Sequence, residues 1–111
     1  MKQKYKNKKH NSYDSRKEAH RAYGLSLRER EGSIKELKEQ VPFVILESFV
    51  DNEGKKIQGI KYLADFVYYD VELNKYVIED VKSPATKKIA AYIIKKKFIK
   101  KLYPNYIFKE T

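Results

Sequence analysis

The spacing of hydrophobic residues predicts a helix near the start of the chain. Between Ser15 and Glu31, apolar side chains recur at intervals of four, as on one face of a helix. Ser15 followed by Glu18 forms a capping box, and Gly32 supplies a stop. The face expected to pack against the rest of the protein carries Ala19, Tyr23 and Leu27.

Three strands are predicted next. Runs of alternating apolar and polar residues, rich in β-branched and aromatic side chains, are typical of half-buried strands. The sequence Asp51-Asn52-Glu53-Gly54 predicts a turn after the first strand. The strands are expected over Val41 to Val50, Ile57 to Tyr69 and Tyr76 to Lys82.

A lysine-rich helix and a short strand complete the predicted order αβββαβ. The helix is expected from Pro84 to about Leu102, and Pro104 helps to end it. A strand from Tyr106 to Phe108 follows. Because no repeat or long linker divides the chain, residues 13–111 are expected to form one α+β domain of the broad α/β class. The helix stripe expected to pack on the sheet comprises Ala90, Ile94, Phe98 and Leu102, with Ile89 and Ile93 at its edge.

Positive charge is concentrated in two blocks of a chain of 111 residues with a formal net charge of +10. Residues 1–12 hold five lysines and no acid, and are expected to form a disordered basic arm. Residues 84–104 hold seven lysines and no acid. Clustered lysines favour a polyanionic partner, because their binding to phosphates releases counterions. A soluble tail and a solvated helix face are the alternatives.

The composition excludes several classes of protein and site. Cysteine is absent, which excludes disulfides, thiolate metal sites and cysteine nucleophiles. No Gly-rich phosphate loop or dinucleotide fingerprint is present, so no nucleotide cofactor is expected. No apolar run is long enough to span a bilayer, and the N-terminus does not read as a signal peptide. A cytoplasmic protein without membrane contact is therefore expected.

Two aspartates are predicted to meet across the hairpin that the second and third strands form. A turn over residues 71–74 pairs Asp70 with Lys75. The antiparallel register then places Asp65 directly opposite Asp80, and a two-residue turn gives the same register. The hairpin therefore carries two neighbouring carboxylates.

Paired carboxylates at such a position need a cation. Like charges directly opposite each other destabilise a sheet, and close carboxylates compete for one proton. Lys82, on the same strand face as Asp80, supplies one positive charge. A divalent cation supplies the rest, and Mg²⁺ suits one or two carboxylates completed by waters and substrate phosphates. The alternative is an ordinary solvated strand face with an Asp–Lys pair.

These residues also carry a resemblance to a known superfamily. Asp65, followed fifteen residues later by Asp80-Val81-Lys82, resembles the signature of the PD-(D/E)XK nucleases. The chain is most similar to a small, largely uncharacterised phage-encoded family within that superfamily. The resemblance implies a restriction-endonuclease-like αβββαβ core with a mixed central sheet. The similar stretches are residues 15–19, 62–70 and 77–83, and the lysine-rich helix up to Leu102-Tyr103-Pro104.

The sequence departs from the superfamily pattern at two positions. Ala64 stands where proline is common before the first aspartate. Glu79 lies beside Asp80 and offers a second candidate acid. Strand alternation favours Asp80, because only Asp80 shares a face with Lys82.

The resemblance implies roles for the site residues. Asp65 and Asp80, with the backbone carbonyl of Val81, would hold Mg²⁺ or Mn²⁺. Lys82 would orient or help to deprotonate the attacking water, or stabilise negative charge on the reacting phosphate. Glu18 would be a further ligand, directly or through water. The alternative for Glu18 is a purely structural role in the capping box.

The lysine-rich helix is expected to contact nucleic acid. Lys88, Tyr92 and Lys95 lie on one flank, and the resemblance to resolvases implies that this flank reaches the scissile or a neighbouring phosphate. Lys96 and Lys97 are expected to follow the nucleic-acid backbone. A solvated flank is the alternative for Tyr92 and Lys95.

The resulting hypothesis is a Mg²⁺-dependent DNA endonuclease, phage-encoded and acting in the cytoplasm of the bacterial host. Because cutting both strands usually needs two active sites related by symmetry, a homodimer is expected. Its expected substrate is branched DNA, as in Holliday-junction resolution during phage recombination or replication. The alternatives are a nuclease acting on ordinary duplex or single-stranded DNA, a nucleic-acid-binding module with a vestigial site, and a protein-interaction factor, such as a phage protein that binds and occupies a host enzyme.

Overall fold

A computed structural model describes residues 15–111, so the predicted basic arm lies outside the described residues. The described chain folds as α1, β1 to β5, α2, α3 and β6. None of its helices is long and apolar enough to cross a membrane. The helices are α1 (Arg16–Glu31), α2 (Pro84–Lys87) and α3 (Ala90–Leu102), and the strands are β1 (Ile34–Leu46), β2 (Phe49–Val50), β3 (Lys56–Ile57), β4 (Ile60–Asp70), β5 (Lys75–Asp80) and β6 (Tyr106–Glu110).

Four strands form one mixed sheet in the order β1-β4-β5-β6. β1, β4 and β5 are antiparallel neighbours, whereas β6 returns after the helices and pairs parallel to β5. β2 and β3 form a separate two-stranded hairpin between β1 and β4. The predicted α+β class and the mixed central sheet are confirmed.

The sheet separates two apolar clusters. Val77 and Ile78 are neighbours on β5, yet Val77 packs with α1 and Ile78 packs with α3, because successive side chains of a strand point to opposite faces. The α1 cluster also includes Phe66 and Tyr68 of β4. Helices therefore cover both faces of the sheet, and the long hairpin of β4 and β5 lies between them.

Helix α1 is confirmed, but the prediction of its buried face is wrong. The Ser15 hydroxyl accepts a hydrogen bond from the Glu18 amide at 3.0 Å, and Gly32 ends the helix at φ 91°. The face with Tyr23 points to solvent. The buried, sheet-facing residues are Glu18, Ala22 and Leu25. A carboxylate therefore occupies a position of the helical repeat where an apolar side chain is expected.

Strand β1 begins seven residues earlier than the predicted start at Val41. Its first half is polar, and β1 lies at the edge of the sheet, where outward charged side chains stay in water. Glu36 and Gln40 have positive φ, and the register with β4 shifts between Lys35 and Lys38. These irregularities hide the period-two alternation that identifies a strand.

The lysine-rich segment is two helices rather than one, and the stripe predicted to pack on the sheet is wrong. The helical conformation is interrupted at Lys88 and Ile89, which lie between α2 and α3. After this break, Tyr92 and Ile99 fill the core under α3. Because α3 is apolar on two sides, periodicity alone selects the wrong one. The predicted stripe of Ala90, Ile94, Phe98 and Leu102 is exposed.

Candidate functional site

The β4–β5 register brings Asp65 and Asp80 together as predicted. Asp70 pairs with Lys75 across a four-residue turn, which confirms the predicted register. At the far end of the hairpin, the Asp65 amide donates to Asp80 Oδ1 at 3.0 Å. The Val81 amide donates to Asp65 Oδ2 at 2.9 Å. Each carboxylate is therefore held by a backbone amide from the other side of the hairpin.

Lys82 bridges the two carboxylates. Its Nζ lies 3.7 Å from Asp65 Oδ2 and 3.6 Å from Asp80 Oδ1. The predicted Asp–Lys cluster is therefore present, with one ammonium shared between two acids. Asp80 Oδ2 is buried and, within residues 15–111, has no hydrogen-bond partner. A buried carboxylate oxygen without a partner is costly and remains available to a cation.

Burial raises the pKa of Asp80 above its ordinary value, although Lys82 and the Asp65 amide act in the opposite direction. Glu110 on the neighbouring strand adds to the rise in this pKa. At neutral pH, ionised Asp80 therefore lowers the stability of the fold. A bound cation would relieve this cost.

We expect Asp80→Asn to raise the melting temperature at pH 7 without metal. The folded pKa of Asp80 is raised, so its ionisation costs stability above that pKa, and the cost vanishes as the pH falls below the unfolded value near 3.8. A gain of about 1 kcal/mol would raise the Tm of a domain of this size by about 4–8 °C. Thermal unfolding in EDTA at pH 7 and pH 4 measures it. A variant that is less stable than wild type at pH 7 contradicts this account.

Glu79, the other acid considered for this site, has a structural role. It is fully buried on the opposite face of β5 and pairs with Arg21 through two hydrogen bonds of 2.5 and 3.1 Å. The hydroxyls of Tyr68 and Thr111 donate to the same carboxylate. Burial tends to raise the pKa of Glu79, but these donors hold it below its ordinary value. Asp80 is therefore the acid that accompanies Lys82.

Glu18 reaches the edge of the site from the first turn of α1. It is buried, and its Oε2 accepts from the Gln40 side chain at 3.1 Å. Glu18, Asp65 and Lys82 line the same open cavity of about 370 Å³. Lys17 also lines this cavity, and its side chain donates to the Lys82 carbonyl at 3.2 Å. The structure therefore places Glu18 on the same cavity as Asp65, and the Glu18 backbone amide also takes part in the helix cap.

Tyr92, which was predicted to contact nucleic acid, is buried beneath the site. Only 8% of the residue is exposed, and its hydroxyl donates to Glu110. Lys82 Nζ lies 5.4 Å from the centre of the Tyr92 ring, within the range of a cation–π contact. Burial and the Glu110 carboxylate raise the pKa of Tyr92, so the phenol remains a donor.

Glu110 is the site residue that sequence reasoning missed. It pairs with Asp80 across the parallel β5–β6 ladder and accepts from Lys96 at 3.1 Å. The predicted last strand ended at Phe108, two residues too early. A strand extended to Glu110, in parallel register with β5, would have revealed it.

The other lysines predicted to bind nucleic acid differ in accessibility. Lys88 and Lys97 are exposed, and Lys95 is half-buried. Lys96 is tied to Glu110 and also lies over the Tyr92 ring. Exposed Lys97 is therefore better placed than Lys96 to contact a phosphate.

We expect Lys97→Ala and Tyr92→Phe to affect DNA binding differently. Loss of one phosphate contact lowers the slope of log affinity against log salt by about one, so Lys97→Ala weakens binding in this way. Tyr92→Phe keeps the ring below Lys82 and removes only the hydroxyl that donates to Glu110. Its DNA affinity changes less than about twofold. Fluorescence anisotropy at several salt concentrations measures both variants, and a loss of DNA affinity well above twofold for Tyr92→Phe contradicts the buried role.

The described residues fit a divalent metal in part. Asp65 and Asp80 offer carboxylate oxygens, and Val81, whose backbone carbonyl is the third predicted ligand, lines the same cavity as Asp65. Oxygen donors of this kind are ones that Mg²⁺ accepts when waters and phosphates complete its coordination. Residues 15–111 contain no group of three or more His, Cys, Asp or Glu side chains arranged to hold a metal. Most positions around an ion held here would therefore be filled by waters or phosphates.

Comparison with known proteins assigns a family. No curated protein and no solved structure matches the chain. One family model, described as "Protein of unknown function (DUF1064)", matches residues 2–110, which is nearly the whole chain and includes every residue of the site. The protein therefore belongs to the family described as Protein of unknown function (DUF1064).

Proposed function

We propose that the protein is a Mg²⁺-dependent DNA endonuclease of the PD-(D/E)XK type. The observation that carries the proposal is the cluster of Asp65, Asp80 and Lys82, in which one ammonium lies within 3.7 Å of two carboxylates. The aspartates come from adjacent antiparallel strands, and the lysine follows two residues after the second aspartate. This is the spacing on which the resemblance to these nucleases rests.

The surroundings of the cluster support the same function. Glu18 lies on the same cavity as Asp65, where the resemblance implies a further ligand. Glu79 is held by Arg21, so of the two adjacent acids Asp80 is the better candidate for a metal ligand. The segment after the cluster carries seven lysines and no acid over residues 84–104, which suits a polyanionic substrate.

The chain's own residues would then divide the work of phosphodiester hydrolysis. Asp65, Asp80 and the Val81 carbonyl would hold Mg²⁺, which polarises the phosphodiester and lowers the pKa of a water when it is bound. Lys82 Nζ would orient the attacking water or stabilise charge on the phosphate oxygens. The Tyr92 ring and Glu110 keep Lys82 and the neighbouring strand end in place.

The proposed substrate is branched DNA, cut by a homodimer in the cytoplasm of a phage-infected bacterium. A domain of 111 residues covers little DNA, and two symmetry-related copies would place one active site on each strand. Ordinary duplex or single-stranded DNA is the alternative substrate for the same residues.

Cleavage assays on a four-way junction and a matched linear duplex test this function. With Mg²⁺, wild type is expected to cut the junction faster than the duplex, and EDTA abolishes both reactions. Equal rates on both substrates contradict the preference for junctions but are consistent with a nuclease. Absence of cleavage with Mg²⁺ and with Mn²⁺ contradicts the proposal that the protein is a nuclease.

Asp65→Asn and Asp70→Asn form a matched pair for this assay. Both aspartates lie on β4 and both are 8% exposed, but only Asp65 belongs to the cluster. We expect Asp65→Asn to lower the cleavage rate by at least about a hundredfold, the loss typical for removal of one group that acts on the transition state. Asp70→Asn is expected to keep the wild-type rate, so equal losses would indicate a general effect on folding.

A nucleic-acid-binding protein without catalysis is the second candidate. The observation in its favour is that the Lys82 ammonium already lies between both aspartates and offsets part of their charge, with no third acid in metal-binding geometry among residues 15–111. Such a protein would bind DNA with a steep salt dependence and its melting temperature would not respond to Mg²⁺. An increase in Tm with Mg²⁺ that Asp65→Asn removes favours the nuclease.

A further inference from the structure

Three tyrosine rings form a row across the strands β4, β5 and β6. Tyr69 pairs with Tyr76 in the antiparallel β4–β5 ladder, and Tyr76 pairs with Tyr106 in the parallel β5–β6 ladder. The ring centres lie 5.1 Å apart in the first pair and 5.9 Å apart in the second. Side chains that pair directly across strands lie on one face of a sheet. This face therefore presents three adjacent phenol rings, which we call the tyrosine row.

The tyrosine row is held in place and is still accessible to solvent. The Tyr76 hydroxyl donates to Glu36 Oε2 at 3.0 Å. The Tyr106 ring packs against the core beside Tyr103, with 6.2 Å between the ring centres. Tyr76 is nevertheless 37% exposed, and Tyr69 is half-buried. The row is therefore an aromatic surface that exists before any ligand binds.

Aromatic rings in such a row suit flat ligands with π-electrons. Nucleic-acid bases stack on tyrosine rings with little regard to sequence, because every base has a π-face. In a duplex these faces are covered by the neighbouring base pairs, whereas the bases of a single strand can be splayed out. The rings of the row belong to adjacent strands, which lie about 4.8 Å apart. The row therefore favours unpaired nucleotides over duplex DNA.

Lysines flank the tyrosine row on both sides. Lys35 on the edge strand β1 pairs with Tyr69 and is exposed. On the other side, exposed Lys100 places its Nζ 5.9 Å from the ring centre of Phe108, two residues after the last tyrosine of the row. One acid, Glu36, contacts the row through its hydrogen bond to the central tyrosine. Positive charge on both sides suits the phosphates of a strand that crosses the row. A proline-rich peptide, another ligand of aromatic surfaces, has no phosphates for these lysines.

We propose that the tyrosine row binds unpaired nucleotides of a DNA strand, with bases stacked on the rings and phosphates near Lys35 and Lys100. The choice of DNA as the nucleic acid rests on the proposed function. Tyr76 and Asp80 lie on the same face of β5, four residues and therefore about 13 Å apart along the strand. The row would hold a single-stranded arm near the cluster and favour branched substrates that carry such an arm.

Binding of the full chain to a fluorescent oligothymidine, measured by anisotropy in EDTA, tests the row without cleavage. Tyr76→Ala is expected to weaken binding at least about fivefold, because it removes the ring on which a base stacks. Tyr76→Phe keeps the ring and is expected to stay within about twofold of wild type. Tyr23→Ala is the matched control, because Tyr23 is 64% exposed on α1, which covers the other face of the sheet. It keeps the wild-type affinity.

A matched duplex and a salt series separate stacking from charge. Tyr76→Ala is expected to keep the wild-type affinity for the duplex. On the single strand it keeps the slope of log affinity against log salt, because a phenol ring releases no counterions. Lys35→Ala lowers that slope by about 0.7, the value for one phosphate contact on a single strand. An equal loss of affinity for both DNAs in Tyr76→Ala would overturn the proposal, since it would indicate a general disturbance of the fold.

The row and the nuclease can fail independently. Wild-type and Tyr76→Ala chains that bind oligothymidine equally well would overturn the row as a base-binding surface, whatever the cleavage assay shows. Tyr76-dependent binding by a chain that does not cleave DNA supports the row and contradicts the nuclease alone. A proline-rich peptide that binds wild type but not Tyr76→Ala, while oligothymidine binding ignores this substitution, would assign the row to a polypeptide instead.

Discussion

Lys82→Met is expected to abolish DNA cleavage and to tighten Mg²⁺ binding at the same site. In the wild type, Lys82 Nζ lies 3.6 and 3.7 Å from the two carboxylates, so it occupies the electrostatic position that a divalent cation would take. Methionine keeps the length of the side chain and removes the competing charge, which leaves two carboxylates that repel each other. Under the proposed function, the cleavage rate falls by at least about a hundredfold, because methionine could not orient the water or stabilise charge on the phosphate as Lys82 would.

The two effects of Lys82→Met are measured separately. The rise of Tm with Mg²⁺ concentration gives metal affinity without DNA, and single-turnover cleavage gives the chemical step. We expect the Mg²⁺ midpoint to fall by about tenfold, a change of about 1.4 kcal/mol. Lys75→Met, on the same hairpin but exposed at the turn end, is the matched control and changes neither quantity. Cleavage lost together with weaker metal binding would mean that Lys82 helps to hold the metal rather than competing with it.

The meeting of Asp65 and Asp80 was predictable because it depends on local information. A short turn between two strands determines an antiparallel register, and every pair along the hairpin follows from it. The same alternation separates Glu79 from Asp80, and the structure places these acids in different networks. The part of the site that one hairpin builds can therefore be worked out from the chain alone.

The remainder of the site depends on long-range packing. Glu110 reaches Asp80 only because β6 returns parallel to β5 after two helices, a pairing that no local pattern determines. The orientation of α3 was not predictable either, because Tyr92 and Phe98 are equally suitable core residues on opposite sides of one helix. Glu18 and Glu79 are acids buried at positions where the hydrophobic pattern calls for apolar residues. Partners elsewhere in the fold, such as Arg21 for Glu79, make their burial possible.

Arg21→Ala is expected to cause a large loss of stability. Glu79 is fully buried and depends on the two hydrogen bonds from the guanidinium. Removal of one partner from a buried pair leaves an uncompensated charge and costs about 3–5 kcal/mol. For a domain of this size, Tm falls by more than about 10 °C. Arg28→Ala, on the same helix, is the control, because its 3.6 Å pair with Asp70 is partly exposed and contributes at most about 1 kcal/mol.

The pH dependence of the Arg21→Ala effect identifies its cause. The folded pKa of Glu79 is held below the ordinary value of 4.5, so its ionised form adds stability above pH 4.5, and this stability is lost as the pH falls through the folded pKa. Without Arg21, burial raises that pKa and the variant loses less stability in acid. Urea unfolding at pH 7 and pH 3.5 should therefore show a large gap from wild type that narrows in acid. A gap of constant size would attribute the loss to packing of the Arg21 side chain rather than to its charge.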